Sequence, residues 1–216
     1  LTHRDSHEHP LPLEPGRRYR VRLQMNDVAH AFPEGHRIRL ALSNAYWPTL
    51  WPSPEPVTLT LFTGASALLL PVRPPRAEDA ALAAFPEPES APPWQRTVLR
   101  PGRSERRIER DPLRRLTTTT VTNDEGLYRI DGIDLEVGQS SIQRYSILDD
   151  DPTSAHIEIA WTVTRGRGDW RIRTESRTVM RCTRESFEIA ATMEAFEAER
   201  RVFSRTWDRG IPRDLV

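Results

Sequence analysis

Apolar side chains recur at every second position in several short stretches of this chain, and a two-residue period predicts strands and not helices. Residues 18–25 set Tyr19, Val21, Leu23 and Met25 on one side and Arg or Gln on the other. Behind a turn at Pro33 and Gly35, Ile38, Leu40 and Leu42 alternate with Arg37, Arg39 and Ala41, the pattern of a half-buried antiparallel strand. Residues 57–62 alternate Val57, Leu59 and Leu61 with Thr, and residues 66–72 run through Leu68, Leu69 and Leu70 before Pro71. Together these segments predict a jelly-roll-like antiparallel sandwich of short strands over residues 1–75.

Six prolines then punctuate a stretch rich in alanine: Pro74, Pro75, Pro86, Pro88, Pro92 and Pro93 bracket a short helical segment at residues 78–85. Residues 76–93 therefore read as a linker with one short helix. Alternation returns in residues 94–216, read as a second antiparallel β unit, a meander. Ile157, Ile159, Trp161 and Val163 share a face, residues 165–169 supply Gly166, Gly168 and Asp169 for a turn, and Trp170, Ile172 and Thr174 continue as the partner strand. Phe187, Ile189, Ala191 and Met193 repeat the pattern, Tyr128 and Ile130 precede an Asp131-Gly132 turn, and residues 202–207 supply a last strand. The whole chain reads as all-β.

The loop after the strand at residues 37–42 carries Trp47 and Trp51 among Pro48, Pro52, Pro54 and Pro56. Proline at that density bars a central strand and presents the rings from a stiff, extended backbone. The rings either plug one end of a sandwich or line a pocket or an inter-domain contact.

At 216 residues the chain has room for two modest domains. Lys plus Arg and Asp plus Glu both count 31, so no net field draws nucleic acid or an anionic membrane, and no apolar run approaches a bilayer span. All basic residues are Arg, which points to a GC-rich coding sequence and not to bidentate recognition. The single Cys182 excludes an internal disulfide and fits a reducing compartment, with the cytoplasm as the default. The opening, Leu1-Thr2-His3-Arg4-Asp5, has neither an initiator Met nor a signal sequence and reads as part of a longer chain.

Chemistry is sparse. Gly64-Ala65-Ser66-Ala67-Leu68 lacks the second glycine of a nucleophile elbow and leads into a strand-like run, and His156 falls at a strand start, so no catalytic residue is assigned. His3, His7 and His9, with Asp5 and Glu8, match no closed zinc spacing, and neither metal nor cofactor is called for. Arg167-Gly168-Asp169 is what a hairpin tip needs. The Arg-rich residues 103–115 are interrupted by Glu105, Glu109 and Asp111, as on a solvated ion-pair face.

The run from Phe32 to Pro56, with its Gly35-His36-Arg37-Ile38-Arg39 strand, its Ser43 and its Trp-Pro loop, followed by Val57-Thr58-Leu59, resembles the C-terminal non-catalytic region of the X-Pro dipeptidyl-peptidase and cocaine-esterase-like (CocE/NonD) hydrolases. The opening residues 1–8 look like that family's entry into the region, and residues 203–215 like the tail of its longer members. The resemblance implies a jelly roll that caps or buttresses an α/β-hydrolase domain of the same polypeptide, which carries the serine nucleophile. Under this reading His3, Asp5, His7, His36, Tyr46, Trp47 and Trp51 are the inter-domain or substrate-access candidates, and self-association is compatible with it. A competing reading is a free-standing β-sandwich that binds carbohydrate or another ligand, with Trp47 and Trp51 as a stacking platform.

Overall fold

A computed structural model describes residues 1–216. Its regular structure is one open antiparallel sheet of eight strands: β1 (Arg96–Arg100), β2 (Arg103–Asp111), β3 (Leu116–Ile130), β4 (Leu135–Leu148), β5 (Asp151–Arg167), β6 (Trp170–Cys182), β7 (Ser186–Glu197) and β8 (Arg200–Pro212). Strands β3 to β8 follow one another as a meander, while β1 and β2 share the far side of β3. The chain is thus all-β, as its alternation predicts, and this sheet is of the kind that forms one layer of a sandwich.

Register explains why these residues form these strands. Tyr145, Ile157, Met180 and Ile189 are directly opposed across β4 to β7, and Ile159, Thr178, Ala191 and Trp207 form the next such row on that face. The other face is charged: Glu158 accepts from Arg177 Nε at 3.0 Å and lies 3.8 Å from Arg144, and Arg201 pairs with Glu194 at 2.6 Å. A one-residue slip would exchange the two faces, so the alternation fixes the register. The hairpin expected near residues 165–169 closes as Arg167 opposite Trp170, with Gly168 at φ +54 in the turn.

A bulge between Asp124 and Leu127 lets β3 change partners from β2 to β1. Gly126 adopts φ +82 there, and a Cβ on it would sit 2.7 Å from Gly102 N and nearer still to the Arg100 carbonyl. Asp124 holds the bulge by accepting from Gly126 N at 2.9 Å and from Arg100 Nη2 at 2.8 Å.

Residues 1–95 follow a different course from the one their alternation predicts. The segments 18–25, 37–42, 57–62 and 66–72 carry no ladder, and most of their apolar side chains are exposed. Leu23 is 70% exposed and Val72 85% exposed. A strand needs a neighbour to hydrogen-bond and a surface to cover its apolar side; segments 18–25 and 57–62 touch where Arg18 lies 3.9 Å from the Phe62 ring centre, but no backbone ladder joins them. The linker helix contracts to one 3-10 turn, Ala77–Ala81, because Asp79 accepts from Arg76 N at 3.0 Å at its start and Pro86 lies shortly beyond its end.

The accessible surface is 18164 Å². A compact monomer of 24.9 kDa exposes about 10,000 Å² by the usual scaling with mass. Exposed large apolar side chains run through the whole first half, and the buried apolar core is confined to Val137, Ala155 and Val179.

Candidate functional site

The Trp-Pro loop is where the first half of the chain meets the sheet. Its base is tied by Asn44 Nδ2, which donates to the Val57 carbonyl at 2.7 Å, and its tip is turned by Leu50 N, which donates to the Tyr46 carbonyl at 2.9 Å. The Trp47 and Trp51 rings meet edge to face, 5.2 Å apart and at 88°. Trp47 then lies 6.4 Å from Tyr145 on β4, and Trp51 lies 5.6 Å from Phe187 on β7, both contacts again edge to face. Tyr145 and Phe187 belong to the apolar face of the sheet, so the rings cap one end of that face.

Arg213 secures the contact from the other side. It is 2% exposed, and its guanidinium donates to the Pro52 carbonyl, to Val216 O at 2.7 Å and to Thr183 O at 3.3 Å while lying 4.7 Å from the Phe187 ring centre. Pro52 is buried by this arrangement. Burial lowers the pKa of Arg213 from its ordinary value, and the neighbouring Cys182 opposes the change. Planar geometry with several donors is what lets one arginine satisfy three carbonyls at once.

The N-terminal residues join the same junction through the chain's tail. Thr2 Oγ1 donates to Leu215 O at 2.8 Å, and the His3 ring bonds the Asp214 carbonyl at 2.8 Å. The His7 ring is 5.6 Å from that of His3, whereas Asp5 is exposed and pairs with its neighbour Arg4 at 3.1 Å. Tyr46 is 65% exposed at the lip of the loop. His36 is exposed behind the turn closed by its own N–H on Pro33 O, and its ring makes no hydrogen bond. Of the candidate residues, then, Trp47 and Trp51 form one cluster, His3 and His7 a second beside the tail, and Asp5, Tyr46 and His36 stand outside both.

Three members of the junction escape sequence reasoning. Phe187 and Tyr145 look like ordinary core positions of their strands, and Arg213 is one basic residue among 31. The only sequence signal for Arg213 is its place directly after Pro212, where the last strand stops. Ser66, the nearest approach to a nucleophile elbow, donates to its own turn at Phe62 O, 2.9 Å away.

The sequence model of the X-Pro dipeptidyl-peptidase C-terminal non-catalytic domain matches residues 1–121, and the chain belongs to that family. The match takes in the Trp-Pro loop and continues through β1 and β2 into β3, while β4 to β8 lie beyond it. No curated protein and no solved structure matches the chain.

Proposed function

We propose that this chain is the accessory portion of a serine hydrolase of the X-Pro dipeptidyl-peptidase or cocaine-esterase acyl-hydrolase type, and that it buttresses an α/β-hydrolase domain of the same polypeptide and shapes access to its active site. The observation that carries the reading is the uncovered apolar surface of residues 18–72, which coincides with the family match. Regular rows of exposed Val, Leu and Ile mark a surface that a partner covers. The Trp-Pro loop, pinned to the sheet, fixes the orientation of those rows relative to the second half of the chain.

The stacking-platform alternative is less well supported by the geometry. A sugar ring stacks on a flat aromatic face, and here the two indoles stand at 88° to each other with Tyr145 and Phe187 against them.

The test uses Leu40→Asp, in an exposed row outside the sheet. In the polypeptide that includes the hydrolase domain, kcat/KM on an X-Pro amide or an activated ester should fall at least tenfold or the melting temperature should drop by several degrees. The chain alone should melt unchanged. Equal behaviour of variant and wild type in both settings would remove the reading.

A further inference from the structure

Strand β8 (Arg200–Pro212) ends the sheet, and its outer edge is vacant. β7 occupies one side of it, and no backbone–backbone hydrogen bond runs from residues 200–212 to any other segment. Over its thirteen residues the N–H and C=O groups of alternate positions point away from β7 and are unpaired, a template for another strand. Four arginines on β8 decide which strand it accepts, since like charges directly opposite one another across a ladder are destabilising.

We infer that β8 pairs with β8 of a second copy of this chain, antiparallel and about a twofold axis through Thr206. That register sets Arg205 opposite Trp207, Phe203 opposite Arg209, Ser204 opposite Asp208 and Arg201 opposite Ile211, so no arginine faces another. Moving the axis to Arg205 stacks that residue on itself and Arg201 on Arg209, and moving it to Trp207 sets Arg205 against Arg209. An axis through Ser204 also avoids like charges but leaves residues 209–212 unpaired. Within a single strand Arg205 already lies 5.0 Å from the Trp207 ring centre, so the twofold repeats across the interface a contact that each copy makes alone.

The opposite edge of the sheet is interrupted. It is divided between β1 and β2 at Pro101-Gly102, and Arg100, Arg103, Arg106, Arg107 and Arg110 populate it. That break leaves this edge without an unbroken partner for the thirteen residues of β8, whereas β8 of a second copy matches its own length.

The experiment is sedimentation of the unmodified chain together with oxidative cross-linking of single-cysteine additions. Wild type should sediment at twice the chain mass at micromolar concentration. Thr206→Cys should form a disulfide-linked dimer, mapped by mass spectrometry to position 206 on both copies, while Ser204→Cys should form none. A monomeric wild type would overturn the inference, and so would a dimer that cross-links at 204 or at neither position.

Discussion

At Arg213 a buried guanidinium donates to three backbone oxygens, those of Pro52, Thr183 and Val216. Arg213→Met should therefore cost about 2–4 kcal/mol, mostly because the Pro52, Thr183 and Val216 carbonyls lose their donor, and chemical denaturation of the chain will measure it. Arg213→Lys should recover only part of the loss, because an ammonium lacks the planar fork. Trp51→Ala should lower stability by about 2 kcal/mol in the chain alone, since the ring is half-buried against Phe187 of the same chain. His156, half-buried on β5, adds a pH dependence. Burial first and then Arg181 depress its pKa, with Glu158 opposing. The unfolded chain then takes up the proton first, so the native state loses stability as pH falls through the ordinary histidine value of 6.5 towards the depressed folded value. His156→Gln should flatten the stability profile between about pH 7 and pH 5. The carboxylates Glu158 and Asp124, held below their ordinary values chiefly by Arg177 and Arg100, act in a separate and more acidic window. The Trp pair was legible as a cluster because proline spacing singled it out; Arg213 was not, because burial in a tail leaves no periodic trace.

Among the elements, legibility followed amphipathicity. The β5–β6 hairpin and β7 announce themselves because one face is apolar and the other polar. β2, Arg-Ser-Glu-Arg-Arg-Ile-Glu-Arg-Asp, reads only as a charged run since nearly all of it is exposed, although Glu105 bridges Arg103 at 2.7 Å and Arg107 at 2.9 Å along it. The first half of β3 hides for another reason: four consecutive threonines favour a strand but show no alternation in hydropathy. The segments of residues 18–72 alternate without pairing, because alternation records what a segment is suited to cover and not whether the cover is present. The Gly126 bulge gives the sharpest element-scale prediction. Gly126→Ala should cost at least about 2 kcal/mol from a positive φ and a backbone clash, and it should detach β1 first, visible as faster amide exchange at residues 96–100 than at β5.

For the whole molecule, family membership and an accessible surface well above that of a compact monomer point the same way, towards a chain that supplies surface and not chemistry. A fluorophosphonate probe should accordingly label no serine of residues 1–216, Ser66 included, with intact-mass spectrometry as the readout. The central claim is that residues 18–72 are the surface covered by a hydrolase domain, and amide exchange compares it directly in the chain alone and in the polypeptide that includes that domain. Protection of residues 18–25, 37–42 and 57–62 should rise at least tenfold in the longer polypeptide while β5 and β6 exchange at unchanged rates. Equal exchange at those residues in the two settings would contradict the account.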